Sequence, residues 1–205
     1  MRCFIAIDIP DTLRENLANS LEILHKRLSS AKWVAPQNYH ISLSFLGEIN
    51  DESLNRLRKI IQTAVGGISH FTINIKGTGV FGKIESPRVL WAGVEYCEPL
   101  LLLQSNLTVL LNENSFPVED RKYSPHLTLA RFSRPERSQY LGEWLDKFKY
   151  YNFGKVEVKA ILLMQSILQS RGPIYHMVES FDLQDTIMLQ CPPLHREKSE
   201  AQDNP

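Results

Sequence analysis

The feature that most constrains the fold is a short strand pattern that occurs twice, 86 positions apart, in NYHISLSFLGE and SPHLTLARF. In each segment a histidine is followed two positions later by a hydroxyl side chain: His40 by Ser42, and His126 by Thr128. Residues i and i+2 of a strand point to the same face, so each motif places an imidazole beside a hydroxyl. A chain that does this twice is predicted to build one polar site from two similar halves.

The residues around both motifs support an internal repeat. The same offset aligns an apolar strand at 3–9 with a strand at 89–95, and a leucine-rich helix at 12–29 with one at 98–114. Asp11 is predicted to cap the first of these helices. Two further amphipathic helices are predicted at about 52–65 and 136–149. The chain therefore reads as a β-α-β-α-β pattern, repeated once, with a His strand in the middle of each copy.

We predict an α+β fold with two lobes related by a pseudo-twofold axis, in which antiparallel sheets flank a central groove and helices cover the outer faces. The repeat halves span about 1–86 and 87–189, and they form a single domain with interleaved lobes. The polar segment 190–205 is predicted to be a disordered tail. In this arrangement the two histidines face each other across the groove.

Three local predictions can be compared directly with a structure. Ile41, Leu43 and Phe45 alternate with the polar pair of the first motif and are expected to face the core. The glycine-rich segment GTGVFG is predicted to be a turn. Residues 153–168 and 175–183 are predicted to be two strands, joined at QSRGP.

Composition narrows the function classes. Lys+Arg and Asp+Glu number 23 each, so the chain lacks the basic excess of proteins that bind long nucleic acids mainly through phosphates. The three cysteines are far apart and form no CxxC pair, which predicts a reduced compartment without a disulfide framework or a metal cage. No apolar run reaches membrane-spanning length. We therefore expect a cytoplasmic protein without membrane attachment.

Two facing imidazoles suit general acid–base catalysis, because histidine titrates near neutral pH and one ring can accept a proton while the other donates one. The adjacent hydroxyls, Ser42 and Thr128, are suited to bind a non-bridging oxygen and stabilise charge that develops on it. The sequence shows no evident set of metal ligands beside the motifs. This combination favours attack on the phosphorus of a phosphodiester.

The HISL and HLTL motifs resemble the paired His-x-Thr/Ser motifs of the two-histidine (2H) phosphoesterase superfamily. The surrounding segments RCFIAIDIP, WVAPQNYHISLSFLGE, YSPHLTLAR and LLMQSILQSRGPIYHMVESFDL are similar to its bacterial and archaeal RNA 2′,3′-cyclic phosphodiesterase branch, once named 2′-5′ RNA ligases. The resemblance covers about residues 1–183. Ser42 stands where threonine is the commoner residue, and this difference keeps the hydroxyl.

The resemblance implies metal-independent opening of a 2′,3′-cyclic phosphate at an RNA end to a 2′-phosphate, with no cofactor. It implies His126 as general base, His40 as general acid, and Ser42 and Thr128 as ligands of the phosphate oxygens. Arg131 would clamp the phosphate through its guanidinium group. The reverse reaction would be a 2′-5′ ligation. The implied partners are RNA ends or nucleotides with a 2′,3′-cyclic phosphate, and the implied protein is a monomer.

Other interpretations of the sequence stay open. The groove is also compatible with a non-catalytic RNA-end-binding module, with a phosphodiesterase for a small cyclic nucleotide derivative, or with a metal-dependent hydrolase, which would need carboxylates beside the histidines. Trp33 and Tyr123 precede the two motifs and are either groove residues or packing anchors. Cations in predicted loops are candidates to guide RNA: Lys83, Arg88, Arg121, Lys122, Arg134 and Arg171. The repeat symmetry by itself also permits the opposite assignment of acid and base.

Overall fold

The structure is a computed structural model that describes residues 1–169 and 172–185. Its strands are β1 (Arg2–Asp8), β2 (Ala31–Trp33), β3 (His40–Glu48), β4 (Phe71–Lys83), β5 (Ser86–Val94), β6 (His126–Phe132), β7 (Asn152–Val158), β8 (Ala160–Gln169) and β9 (Gly172–Asp182). Its α-helices are α1 (Asp11–Ser20), α2 (Glu22–Arg27), α3 (Asp51–Val65), α4 (Glu98–Glu113) and α5 (Gln139–Phe148).

These strands form one antiparallel sheet in the order β7-β4-β5-β6-β3-β1-β8-β9, with the short β2 paired to β6. The two His strands, β3 and β6, are neighbours at its centre and pair at Ile41 and Leu127. Both of these side chains are fully buried and belong to the apolar core between the sheet and the helices. The predicted α+β class with antiparallel sheets is therefore confirmed.

The chain crosses between the two halves of the sheet. Strand β4 follows the first His strand in sequence but pairs with β5 and β7, on the side of the second His strand. Strand β8 returns to pair with β1, on the side of the first. The assignment of residues 1–189 to one domain with repeat halves at 1–86 and 87–189 stays a prediction. The predicted tail, residues 190–205, lies outside the described residues.

The predicted helix at 12–29 is interrupted, because it consists of α1 and α2 with a turn at Leu21. The indole Nε1–H of Trp144 donates to the carbonyl of Ser20 at 2.7 Å, so this carbonyl is engaged by a side chain at the break. Asp11 is the first residue of α1 rather than its N-cap, which is Pro10. The carboxylate of Asp11 accepts a hydrogen bond from Arg14 instead, at 2.8 Å.

The prediction of a turn at GTGVFG is wrong, because this segment lies inside β4. Gly77 and Gly82 adopt φ values of 74° and 99°, next to irregularities in the strand register, so the strand bends there without ending. Gly79 lies under the indole of Trp91, and a Cβ built on it would come 2.3 Å from the ring. Gly77 and Gly82 thus permit the bend of the strand, and Gly79 permits the close contact with Trp91.

The predicted single strand at 153–168 is also two strands, β7 and β8, which are separated at Lys159. They pair with different neighbours: β7 with β4 at one edge of the sheet, and β8 with β1 and β9 near the other. The apolar pattern runs through the break because both strands contribute to the same core, as Val158 and Ile161 illustrate. Hydrophobicity alone therefore does not reveal where the chain changes partners.

We expect Gly79→Ala to lower the free energy of unfolding by about 1–3 kcal/mol, because the added methyl group must displace the indole of Trp91. Gly142→Ala is the matched control: Gly142 lies within α5 with no atom within 4 Å of the added Cβ. This change should raise the free energy of unfolding by about 0.5–1 kcal/mol. Urea unfolding of both variants checks the prediction, and equal effects would contradict it.

Candidate active site

The central strand pair places the four motif residues on one face of the sheet, here called the groove face. Because Ile41 pairs with Leu127 in antiparallel register, His40 lies opposite Thr128 and Ser42 lies opposite His126, and the two histidines are diagonal neighbours. All four side chains are half-buried, whereas Ile41 and Leu127 on the opposite face are fully buried. The structure therefore brings together the two imidazoles and two hydroxyls singled out from sequence.

Both imidazoles are held in the same way by the backbone. Nδ1 of His40 lies 2.8 Å from the carbonyl oxygen of Asn38, and Nδ1 of His126 lies 2.7 Å from that of Ser124. A carbonyl can only accept, so Nδ1–H is the donor in each ring and Nε2 is left for chemistry. Nε2 of His40 contacts Oγ of Ser42 at 3.0 Å. Each ring is thus fixed in one orientation.

Burial lowers the pKa of both histidines below the ordinary value for imidazole. For His40, the Asn38 carbonyl and Asp8 partly offset this lowering of the pKa, whereas Arg131 and His126 lower the pKa further. For His126, the Ser124 carbonyl and Glu119 partly offset the lowering of the pKa by burial, whereas Arg131 lowers the pKa further. In the free protein both rings are therefore biased towards the neutral form.

Arg131 reaches the groove face because β6 contains a bulge. Trp91 of β5 pairs with Thr128, and the preceding residue, Leu90, pairs with Ala130. Leu129 of β6 therefore has no pairing partner on β5 and is the extra residue of the bulge. The bulge shifts the alternation by one, which turns Ala130 to the core and exposes Arg131. The guanidinium group lines the cavity together with His126, and its charge lowers the pKa of both histidines.

Strand β3 contains the equivalent bulge, and it overturns the prediction for Phe45. Ala6 pairs with Ser42 and Ile5 pairs with Ser44, so Leu43 is the extra residue, 86 positions before Leu129. Phe45 is consequently not in the core: it is 47% exposed and lines the groove. It occupies the position in the first half that Arg131 occupies in the second.

A cavity of about 650 Å³ opens beside His126. Its walls include Ser42 and Ser44 of β3, Phe45, Phe81 of β4, Gln104 and Thr108 of α4, the loop 119–124, His126, Arg131 and Arg88. A smaller cavity of about 60 Å³ lies beside His40 and is lined by Asp8, Tyr39, Met164 and Tyr175, among others. The groove is thus wide on the His126 side and narrow on the His40 side.

The structure also identifies groove residues that the sequence reasoning missed. Tyr175 and Phe4 pack on the His40 ring, with ring centroids 5.3 and 4.9 Å away. Asp8 is the register partner of His40 on β1, whereas the partner of His126 on β5 is Gly93. Arg14 holds the Asp8 carboxylate in a salt bridge. The alternation of β1 placed Asp8 and Phe4 on one face, but only the strand order shows that this face adjoins His40.

Tyr123 is a packing anchor that also lines the large cavity, and Trp33 is a packing residue. The Tyr123 hydroxyl donates to the carbonyl of Ser42 at 3.0 Å and so holds the 119–124 loop against β3, with its ring on the cavity wall. Trp33 lies on β2 and packs edge-on against His25 at 4.3 Å. Within residues 1–169 and 172–185, no three His, Cys, Asp or Glu side chains are grouped as metal ligands.

Comparison with known proteins identifies the family. The family model described as LigT like Phosphoesterase matches residues 7–91 and 94–175, and each matched segment contains one of the two motifs. The chain belongs to this family. In the described part of this LigT-like phosphoesterase, no helix is long and apolar enough to cross a membrane.

Curated relatives cover most of the chain. An RNA 2′,3′-cyclic phosphodiesterase of Methanothermobacter thermautotrophicus is 32% identical over 89% of this phosphoesterase and 99% of the relative. One from Aquifex aeolicus is 38% identical over 74% of the chain and 81% of the relative. A crystal structure from Thermus thermophilus matches with a TM-score of 0.78 and 28% identity, over 91% of this chain and all of the other. E. coli LigT complexed with 3′-AMP shares the fold, with a TM-score of 0.71 at 24% identity, over 90% of this chain and 98% of the other.

We expect Arg131→Gln to raise the pKa of both His40 and His126, because the guanidinium charge disfavours protonation of each ring. NMR titration of the histidine ring carbons measures both values in one experiment. Lys155→Gln is the control, since Lys155 is an exposed cation on the edge strand β7. A shift confined to one histidine would contradict an effect of the Arg131 charge on both rings.

Proposed function

We propose that the protein hydrolyses 2′,3′-cyclic phosphates at RNA ends to 2′-phosphates, with His126 as general base and His40 as general acid. The observation that carries the proposal is the pair of imidazoles on neighbouring central strands, each oriented by a carbonyl at Nδ1 so that Nε2 is left for chemistry. The names of the curated relatives support the same substrate class.

In the proposed reaction a water molecule attacks phosphorus as its proton passes to Nε2 of His126. The bond between phosphorus and the 3′-oxygen breaks, and the leaving oxygen takes the proton from Nε2 of His40. The product carries a 2′-phosphate and a 3′-hydroxyl group. The two proton transfers exchange the protonation states of the rings, and the rings return to their initial states through solvent.

Burial lowers the pKa of both rings, and Asp8 beside His40 and Glu119 near His126 each partly offset this effect. The lowered pKa of His126 keeps this ring neutral at neutral pH, as a base requires. Asp8, the register partner of His40, favours protonation of His40, whereas the register partner of His126 is a glycine. The negative charge of a bound cyclic phosphate would favour a protonated His40 further and offset the charge of Arg131.

The other three residues are proposed to bind the phosphate. Ser42 and Thr128 lie beside the imidazoles on the groove face and would donate to non-bridging oxygens, while Arg131 would neutralise their charge. No cofactor is part of this mechanism. The monomeric state and the cytoplasmic location inferred from sequence remain predictions, and the 2′-5′ ligation is the reverse of the same steps.

Purified protein incubated with adenosine 2′,3′-cyclic phosphate in excess EDTA should yield the 2′-phosphate as the only product. His40→Ala and His126→Ala should each lower kcat by about 100- to 10,000-fold, because each removes one proton transfer. Chromatographic separation of 2′- and 3′-phosphates gives both results. Activity abolished by EDTA would indicate a metal-dependent hydrolase, and turnover that survives both substitutions would contradict the proposal.

Ser42→Ala should lower kcat by about 100-fold, the cost of removing one donor to a developing oxyanion. Ser42→Thr is the matched control and should keep most of the activity, because it restores the hydroxyl at the same position. Steady-state kinetics of both variants on the cyclic nucleotide measures the difference. If both variants lost activity equally, the hydroxyl would not be the functional group at this position.

A further inference from the structure

Each imidazole of the site packs edge-on with one aromatic ring. The ring centroids of His126 and Phe81 lie 4.8 Å apart at an interplanar angle of 88°, and those of His40 and Tyr175 lie 5.3 Å apart at 85°. The two contacts have nearly the same geometry, but only Tyr175 carries a hydroxyl group. Since a phenylalanine serves the contact at His126, packing alone does not account for the phenol at His40.

The strand that carries Tyr175 is held by the same residue that orients His40. The backbone carbonyl of Asn38 lies 2.8 Å from Nδ1 of His40, and the side-chain amide of Asn38 donates to the carbonyl of Pro173 on β9 at 2.9 Å. Pro173 precedes Tyr175 by two positions, and the Tyr175 ring also packs edge-on with Phe4 at 4.9 Å. The phenol therefore has a fixed position relative to the imidazole.

The Tyr175 hydroxyl is a hydrogen-bond donor near positive charge. Burial raises the pKa of Tyr175, and the charges of Arg131 and Arg2 only partly offset this rise, so the phenol stays protonated at neutral pH. The Tyr123 hydroxyl donates to a carbonyl, whereas the Tyr175 hydroxyl has no hydrogen-bond partner within residues 1–169 and 172–185. Tyr175 also lines the smaller cavity beside His40. Such a donor is suited to an anion that the two guanidinium groups attract.

We propose that Tyr175 is a further catalytic residue, whose hydroxyl donates a hydrogen bond to a non-bridging oxygen of the cyclic phosphate on the side of His40. The inference rests on the proposed function and adds to it a substrate contact from outside the two motifs, on the edge strand β9. Asn38 is the positioning residue of this contact, because its amide holds the strand at Pro173.

The first test is Tyr175→Phe, which keeps the aromatic ring and removes only the hydroxyl. We expect kcat/KM for adenosine 2′,3′-cyclic phosphate to fall about 10- to 100-fold, the loss expected for one hydrogen bond to a charged group. The affinity for the product, adenosine 2′-phosphate, should also fall in isothermal titration calorimetry. Tyr150→Phe is the matched control and should match the wild type, since it removes an exposed hydroxyl just after α5.

NMR titration of the histidine rings separates a contact with substrate from an effect through the imidazole. Tyr175→Phe should leave the pKa of His40 unchanged, because the edge-on ring is retained. Tyr175→Leu should raise the pKa of His40 towards its ordinary value, because burial is the main cause of its lowering. If Tyr175→Phe shifted this pKa as far as Tyr175→Leu does, the hydroxyl would act through His40 and the proposed contact would be overturned.

A double-mutant cycle tests the role of Asn38. Asn38→Ala should weaken the binding of adenosine 2′-phosphate in the wild-type background. In the Tyr175→Phe background the same change should have little further effect, because the hydroxyl that Asn38 positions is absent. Losses that add in the double variant would contradict a positioning role for Asn38.

The outcomes distinguish this inference from the proposed function. If the wild type hydrolyses the cyclic phosphate and Tyr175→Phe keeps its kcat/KM and product affinity, the tyrosine only packs, so the inference is overturned and the proposed function stands. If the wild type hydrolyses no cyclic phosphate, the proposed function fails, and weaker binding of adenosine 2′-phosphate to Tyr175→Phe would still support the contact. A wild type that neither hydrolyses the cyclic phosphate nor binds the product would overturn both.

Discussion

The site depends on the pairing of two central strands, β3 and β6, at Ile41 and Leu127. Each of these residues separates a histidine from its hydroxyl in sequence, and both are fully buried on the core face. Because side chains alternate between the two faces along this part of each strand, burial of the apolar pair forces the polar residues on either side to the groove face. The hydrophobic effect on one face of the sheet therefore fixes the positions of the two imidazoles and two hydroxyls on the other.

The duplicated backbone carries two different sets of side chains. Equivalent bulges at Leu43 and Leu129 turn Phe45 and Arg131 towards the groove at equivalent positions. One half thus presents an aromatic face and the other a guanidinium group, the two groups that recognise a base and a phosphate. A symmetric scaffold with asymmetric side chains suits a substrate whose two ends differ chemically.

The sequence predicted the parts of the structure that depend on local periodicity. Helices α3, α4 and α5 and the two polar motifs follow from spacing, whereas the break between α1 and α2 does not. The repeat of the motifs implied that they meet. The sequence did not reveal the bulges, since one extra residue at Leu43 leaves the apolar pattern intact and only moves Phe45 to the other face. Nor did it reveal which strands pair, and for that reason Asp8 was not recognised as a neighbour of His40.

Acid and base catalysis by two identical side chains requires that their environments differ, and the strand order supplies the difference. The position opposite His40 carries a carboxylate, Asp8, while the position opposite His126 carries no side chain because it is Gly93. Arg131 acts on both rings in the same direction, so it cannot distinguish them. Glu119 favours protonation of His126, but it lies on the wall of the wide cavity and pairs with Arg121. In the proposed assignment the acid, His40, therefore relies on Asp8 to offset the burial that lowers its pKa, and the base, His126, adjoins the larger cavity.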